Sequence, residues 1–479
     1  MRSAGGKGKT DAAAEAVQGH RFHPTILREY DVRGIVGETL DAADARALGE
    51  AYAVYLDQLG LPARLPVAVG RDGRLSSPDL AEALIAGITS AGRDVLTIGL
   101  GPTPMLYFAV HHLGLAGGIM VTGSHNPPNY NGFKMMVGAK PLFGEAIATL
   151  GRLAETGSVA GKRQGQGRVL RRELLDSYVA RLICDARIPD LTVVWDTGNG
   201  AAGPAVEALI RRLPGRHELL FAEVDGRFPN HHPDPTVESN LAALQEAVRS
   251  READLGIAFD GDGDRIGAVD GQGRVVWGDQ ILLILARAVL AELPGAPVIA
   301  DVKASQHLFD GIRQAGGEPV MWKTGHSLIK TKMAETGAPL AGEMSGHIFF
   351  RHRYYGFDDA LYAAVRLLEA IGESGRSLAD LLDALPKSAA TPEIRIACPE
   401  EEKRAVVARL TRHLAQEGRR VVDVDGVRVL TDEGWWLVRA SNTQPVLVAR
   451  IEGRDEAALA TLESDLKAAL AAVGFNAKW

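Results

Sequence analysis

Cysteine is nearly missing from this chain: Cys184 and Cys398 are the two among 479 residues, and they lie far apart in sequence. They exclude a disulfide framework and fit a reducing compartment, so the chain is read as cytoplasmic. Long apolar runs are missing as well. The most apolar helical stretch, ILLILARAVLAEL from Ile281, is shorter than a bilayer span and carries Arg287, which makes it a buried core helix and leaves no transmembrane segment expected. There is no surplus of positive charge: 53 Lys and Arg face 60 Asp and Glu, a formal charge of -7. General nucleic-acid binding is therefore not expected, although local basic clusters can still hold a small anion. The opening MRSAGGKGKTDAAAEAVQGH lacks the apolar core of a signal peptide, and residues 1–21 are expected to be a disordered extension. Within it GKGKT imitates a phosphate loop, but Ser3 stands where the first glycine belongs and no strand precedes it.

An apolar content of 46% is enough for several packed cores, and the length predicts three or four domains. A repeat organises them. PVAVGRDGR leads into a helical run from Ser77, LTVVWDTGNG into one from Pro204, and PVIADVKAS into one from Gln306. Each helix is followed by a second strand, in RDVLTIGLG, HELLFAEVDG and EPVMWKTGHS. The spacing between units is roughly a hundred residues, the size of one domain. Each copy then adds a short apolar or glycine-rich segment, an unusual loop and another strand, the loops being VTGSHNPPNYNG, FDGDGDR and GEMSGH. Similar domains can present equivalent loops to one shared cleft, and ligands favour such strand-end crevices. The C-terminal part breaks the pattern with strand-like GWWLVRA, loop SNTQP, strand VLVARIEG and a helix from Asp455. The expected fold is α/β: three similar mixed α/β domains at 22–171, 172–273 and 274–387, plus a smaller α+β C-terminal domain at 388–479, around a central cleft.

The loop DGDGDR sets Asp260, Asp262 and Asp264 at alternate positions, where like charges repel and raise one another's pKa unless a cation compensates. Gly261 and Gly263 let the backbone curl so that all three point one way, which makes a bound metal the natural reading. An EF-hand loop fails twice, because Arg265 stands at its glycine position and Gly271 at its glutamate position. In TGSHNPP, Ser124 sits on a turn stiffened by Pro127 and Pro128, so its hydroxyl is expected to be exposed. His125 and Lys134 supply the base and the cation that a nucleophilic hydroxyl requires. GEMSGH has Glu343, Ser345 and His347 at alternate positions, one face of an extended segment, suited to sugar hydroxyls. RASNTQP offers Arg439, Ser441, Asn442 and Thr443 as donors for one phosphate.

These four loops, in this order, resemble those of the α-D-phosphohexomutases, above all the bacterial phosphomannomutase/phosphoglucomutase branch, and the resemblance runs from about Tyr30 onward. It implies reversible phosphoryl transfer between C6 and C1 of mannose and glucose phosphates, through a phosphoserine at Ser124 and a hexose 1,6-bisphosphate intermediate. It further implies Mg²⁺ held by Asp260, Asp262, Asp264 and an oxygen of the serine phosphate, with Arg265 beside the same group. Glu343 and Ser345 would hold ring hydroxyls, and the loop from Arg439 would grip the phosphate that is not reacting. Tyr30 and Arg33 in EYDVRG, Lys303 in DVKAS and His326 in KTGHS also match the family's cleft. The proton acceptor remains open among His326, His125 and Lys134. The implied partners are small phosphosugars, with no nucleic acid and no membrane; a monomer is compatible with the sequence.

Three other readings compete. GNGAAG from Gly198 follows a strand, precedes a helix opened by Pro204 and is trailed by Glu223, a local dinucleotide-binding fingerprint that would make the chain an oxidoreductase. It leaves the serine, aspartate and sugar loops unexplained. A non-catalytic sugar-phosphate binding protein would not require an intact nucleophile and metal loop. A phosphoglucosamine mutase typically has glutamine where Met344 stands. HHPDP from His231 suggests a metal site, but adjacent histidines chelate one ion awkwardly and the prolines indicate a rigid loop. Removing charge from the aspartate loop, as in Asp262→Asn, is expected to leave fold stability unchanged or improved, because repulsion is relieved.

Overall fold

The computed structural model describes residues 19–157, 166–442, 444–477 and 479. Thr443 and residues 1–18 of the expected disordered extension lie outside the described residues. His20 is already tied to the body of the protein, its backbone N–H donating to Ala154 O at 2.9 Å and its ring 2.7 Å from Asp44.

Among the described residues the strands form four sheets. The first holds β1 (Val32–Ile35), β2 (Val67–Arg71), β3 (Val95–Leu100), β4 (Gly117–Val121), β5 (Tyr130–Val137), β6 (Lys140–Leu142) and β7 (Val169–Arg171). The second holds β8 (Leu191–Asp196), β9 (Gly215–Leu220), β10 (Leu255–Phe259), β11 (Ile266–Asp270) and β12 (Val275–Val276). The third holds β13 (Pro297–Asp301), β14 (Glu318–Trp322), β15 (Leu340–Gly342) and β16 (Ile348–Phe350). In all three the same four-strand order recurs, β3-β2-β4-β5, β9-β8-β10-β11 and β14-β13-β15-β16, with two parallel pairs followed by one antiparallel pair. The repeat read from the sequence is thus a repeat of topology.

That order explains where the unusual loops fall. Parallel neighbours need a crossover, which helices such as Ser77–Ser90, Gly203–Ile210 and Gln306–Gln314 provide. The third strand of each unit meets the fourth antiparallel, so this connection needs no helix and is free to be a short functional loop. TGSHNPP, DGDGDR and GEMSGH are those three connections. β4, β10 and β11 are buried at every residue, as sheets covered by helices on both faces require.

The fourth sheet is antiparallel and holds β17 (Ala389–Ala390), β18 (Ile394–Ala397), β19 (Val421–Val422), β20 (Val427–Leu430), β21 (Gly434–Ala440) and β22 (Val446–Gly453). Helices Lys403–Gln416 and Glu456–Ala472 pack on it over Trp436, Val438, Ala449, Leu410 and Leu466. RASNTQP is its β21 to β22 hairpin. ILLILARAVLAEL lies in the helix Gly278–Glu292, which is buried along most of its length, and no described helix is long and apolar enough to cross a membrane.

The first and third domains meet at the helix Thr103–Leu113, whose His111 ring lies 5.2 Å from Tyr355 and 5.3 Å from Phe357. Burial, with Lys330 nearby, pushes His111 down to about 4. The unfolded chain therefore binds this proton more readily, so the contribution to stability is complete above about pH 6.5 and is lost as pH falls toward 4. Between pH 7.5 and 5, His111→Phe is expected to flatten the fall in the urea midpoint relative to the wild type, by about 1 kcal/mol per pH unit below pH 6.

Candidate active site

A cleft of about 1430 Å³ opens between the four domains. Ser124, His125 and Lys134 line it from the first domain, Arg265 from the second, Lys303, His326, Glu343, Ser345 and His347 from the third, and Arg439, Ser441 and Asn442 from the fourth. Tyr30 and Arg33 border it as well.

Behind this lining, Asp260, Asp262 and Asp264 are fully buried, with oxygens within 4.8 Å of one another. Burial, then Asp262 and Asp264, pushes Asp260 well above the usual carboxylate range. Burial acts the same way on Asp262, but the Lys134 ammonium 2.7 Å away and the Thr103 hydroxyl at 2.5 Å hold it below that range. Thr122 adds a hydroxyl at 3.1 Å, and Lys134 also bonds Asp264. Burial alone would lower the Lys134 pKa; the three carboxylates keep it a cation. Two helix N-termini add partial positive charge: Thr103 N–H donates to Asp262 O at 2.8 Å and Ala360 N–H to Gly263 O at 3.3 Å. Asp262 Oδ1 and Asp264 Oδ1 are buried with no hydrogen-bond partner. A converging set of carboxylate oxygens with unused lone pairs fits Mg²⁺, a hard cation that prefers oxygen ligands.

Ser124 is turned into this group, not out to solvent. The sequence predicts an exposed hydroxyl, yet the residue is 2% exposed, because φ of 48° curls the turn inward and Arg74 holds it there. The Arg74 guanidinium donates to the carbonyls of Ser124 at 2.7 Å, Asn126 and Pro127 at 2.5 Å, and Tyr130 at 3.0 Å. Ser124 Oγ donates to Asp260 Oδ2 at 2.8 Å and lies 3.1 Å from His125 Nδ1. Burial, then Arg265, Arg33 and Lys134, keeps the His125 pKa well below its ordinary value.

GEMSGH is not the extended segment that alternation predicts. Glu343 to His347 form a tight turn with Gly346 at φ 89°, its N–H donating to Glu343 O at 3.0 Å. A turn gathers the three side chains as well as a strand face would. Glu343 Oε1 accepts from Gly325 N–H at 2.6 Å, and Arg265 Nε donates to His347 Nε2 at 3.0 Å. His347 Nδ1 sits 3.1 Å from Asp358, whose other oxygen takes Lys330 at 2.8 Å. Asp264, His347 and Asp358 also converge like metal ligands; Lys134 bonds Asp264, Arg265 donates to His347 and Lys330 bonds Asp358. His326 lies 3.8 Å from Asp358 and stacks on His347 at 5.7 Å. Its pKa is held well below the ordinary value by burial, then by Lys330.

The remaining cations each lean on a carboxylate: Arg33 on Asp31 at 2.5 Å, Lys303 on Glu393 at 3.0 Å, and Arg439 on Asp425 at 2.8 Å. Tyr30 ties domains together, donating to Thr324 O at 2.9 Å while Asn442 bonds its hydroxyl at 2.5 Å. Arg74, Thr103, Thr122, Lys330 and Asp358 are missing from the sequence-based set. Thr122 opens the serine loop itself, while the other four are ordinary polar residues outside the odd loops that only folding aims at the site.

The glycine-rich turn of the oxidoreductase reading is filled by the protein itself. A Cβ at Gly198 would lie 2.9 Å from Pro233, and one at Gly200 2.9 Å from Gly261 O. Its glycines admit the metal loop and HHPDP, where a dinucleotide would need the space. Three layered α/β domains, a fourth antiparallel one and a cation-lined cleft over a buried acidic group define an enzyme that handles a phosphate-bearing ligand.

Comparison with known proteins agrees. Residues 24–157, 176–273 and 277–389 match the alpha/beta/alpha domains I, II and III of phosphoglucomutase/phosphomannomutase, and residues 393–469 match its C-terminal domain. The chain is 47% identical to a Pseudomonas putida phosphomannomutase/phosphoglucomutase, covering 91% of this chain and 93% of that one. It is 44% identical to a Neisseria gonorrhoeae phosphoglucomutase, over 93% and 96% of the two chains. A crystal structure of a phosphoglucomutase/phosphomannomutase family protein from Burkholderia thailandensis superposes with a TM-score of 0.89 at 41% identity, covering 95% and 99%. A variant of Aspergillus fumigatus N-acetylphosphoglucosamine mutase in complex with glucose 1,6-bisphosphate shares the fold, with a TM-score of 0.58 at 13% identity over 95% and 97%. The chain belongs to the phosphoglucomutase/phosphomannomutase family.

Because Lys134 and the two hydroxyls are bonded to Asp262, removing its charge breaks contacts that outweigh the repulsion considered from sequence. Asp262→Asn is expected to lower stability in chelator by about 1–3 kcal/mol, read from the urea midpoint, and to cut activity most strongly at limiting Mg²⁺ by raising the metal concentration needed.

Proposed function

We propose that the chain interconverts the 1- and 6-phosphates of glucose and mannose by reversible phosphoryl transfer through a phosphoserine at Ser124 and a hexose 1,6-bisphosphate. The observation that carries this reading is Ser124 Oγ, 2.8 Å from Asp260 in the buried acidic group and open to a cleft lined by cations from every domain. Phosphoryl transfer needs positioning and charge stabilisation more than covalent machinery. Asp260, Asp262, Asp264 and the serine phosphate would hold Mg²⁺, which when bound neutralises developing charge on the phosphoryl group.

In the forward half-reaction the Ser124 Oγ–P bond breaks and a P–O bond forms to a free hydroxyl of the hexose monophosphate. That hydroxyl gives up its proton and Ser124 Oγ receives one. The bisphosphate then turns over, its second phosphoryl group returns to Ser124 Oγ, and the enzyme is regenerated. In-line transfer puts the attacking hydroxyl across the phosphorus from Oγ, so a group bonded to Oγ, such as His125, is poorly placed to accept the proton. Lys134 is held as a cation by three carboxylates. His326, neutral and across the cleft on the third domain, is the acceptor we assign. Arg265 and Arg33 flank the transferred phosphoryl group, Glu343, Ser345 and His347 face the sugar, and Lys303, Arg439, Ser441, Asn442 and Thr443 receive the other phosphate.

We read the domain boundaries as 22–171, 172–273, 274–387 and 388–479, a division that the four family matches support. The two unpaired cysteines support a reducing cytoplasm.

The decisive experiment follows glucose 1-phosphate turnover in a coupled assay beside peptide mapping of bound phosphate. Ser124→Ala is expected to lose turnover by about a thousandfold or more; normal turnover, or an active wild type with no phosphate on Ser124, overturns the reading. Arg439→Ala is expected to raise KM about tenfold or more with a smaller change in kcat, as loss of a charge-assisted phosphate contact does. No assigned residue reads the C2 hydroxyl, so kcat/KM for glucose 1-phosphate and mannose 1-phosphate should agree within about tenfold. A difference beyond about a thousandfold would require a C2-reading residue.

A further inference from the structure

HHPDP is not used by the site as described so far, yet it lies against the nucleophile. It belongs to a segment of the second domain, Phe221 to Thr236, that reaches across to the serine loop of the first. His232 Nε2 is 2.5 Å from the carbonyl oxygen of His125, the residue after Ser124. Phe228 stacks its ring edge to face with His232 at 6.4 Å and lies under the Arg74 guanidinium at 5.3 Å. His231 anchors the other side, its Nε2 3.0 Å from fully buried Asp196 at the end of β8, just before the glycine-rich turn. Asn199 in that turn bonds Glu223 O and Asn230 at 2.8 Å.

Backbone conformation marks the same region. Six non-glycine residues among those described have positive φ, and four are here: Ser124, Asn199, Phe221 and Phe228. Such conformations cost free energy and persist where surrounding contacts over-determine them, often at functional sites. There is no slack between the two catalytic loops either: a Cβ on Gly261 would sit 2.4 Å from Ser124 O. The position of Oγ against Asp260 is therefore set by how the serine loop is clamped, from inside by Arg74 and from outside by His232.

We propose that His232 is a positioning residue for phosphoryl transfer, holding the main chain at the nucleophile in register with the metal loop. This rests on the phosphohexomutase reading and deepens it. Because its partner is a carbonyl, Nε2 must carry hydrogen. His232 acts through the His125 carbonyl and bears on kcat, whereas ground-state substrate capture depends on the third- and fourth-domain loops.

The test uses the full chain with glucose 1-phosphate, glucose 1,6-bisphosphate and Mg²⁺. His232→Phe keeps the ring and removes the donor, His232→Ala removes both without a clash, and His232→Gln returns an amide donor at similar reach. Phe and Ala are expected to lower kcat about tenfold to a hundredfold, as small misplacements of a reacting group do. KM and the Mg²⁺ requirement should stay within about twofold, with melting temperature within about 3 °C. Gln should recover kcat to within about threefold of wild type. Unchanged kcat in the Ala variant, equal losses in Ala and Gln, or KM rising in step with the loss of kcat would overturn the assignment. Failure of wild-type protein to turn over hexose phosphate overturns the function instead, so the two failures are distinguishable.

Discussion

Three carboxylates fully buried within 4.8 Å of one another are the constraint that the rest of this molecule answers. Charge that dense in a low-dielectric interior is prohibitive unless compensated. The metal loop supplies part of that compensation itself, through Arg265 and through the N–H groups of Asp264 and Arg265, which donate to Asp260 at 3.1 and 3.2 Å. Lys134, Thr122 and Thr103 come from the first domain, and the Ala360 N-terminus comes from the third. The acidic loop of the second domain is therefore compensated jointly by its own groups and by the neighbouring domains packed around it.

The same economy governs the cleft. Its cations do not stand alone: Arg33, Lys303 and Arg439 each hold a carboxylate partner. Such partners keep long side chains near one geometry, so less conformational freedom is lost when a phosphate arrives. Tyr30, bonded to both the third and fourth domains, links the nucleophile's domain to the distal phosphate loop.

The topology makes the triple repetition useful. Each α/β unit has one strand connection that needs no crossover helix, and evolution of a shared site requires only that three such hairpins converge. They carry different groups, a serine beside a histidine, a cluster of buried carboxylates and a polar turn, on the same structural address. The antiparallel fourth domain contributes through a hairpin of its own, between β21 and β22.

Much of this was legible in the sequence. Strand and helix patterns fix the three units, and the loops announce their chemistry by composition: glycine between aspartates, serine beside histidine before two prolines, arginine ahead of serine and asparagine. These are local properties, carried by residues within a few positions of one another. Burial of Ser124 was not legible, because the agent is Arg74, fifty residues earlier. Compensation of the aspartates was not legible either, since Lys134 and Thr103 reach them only across a domain boundary, and the turn of GEMSGH looks like a strand until Gly346 is given its positive φ. GNGAAG looks like a cofactor loop until Pro233 and Gly261 are seen to fill it. The sequence by itself determined which chemical groups are present and on what repeated scaffold; tertiary structure alone decided which of them face one another, because electrostatic and hydrogen-bond energies depend on distances between segments that the chain order leaves free.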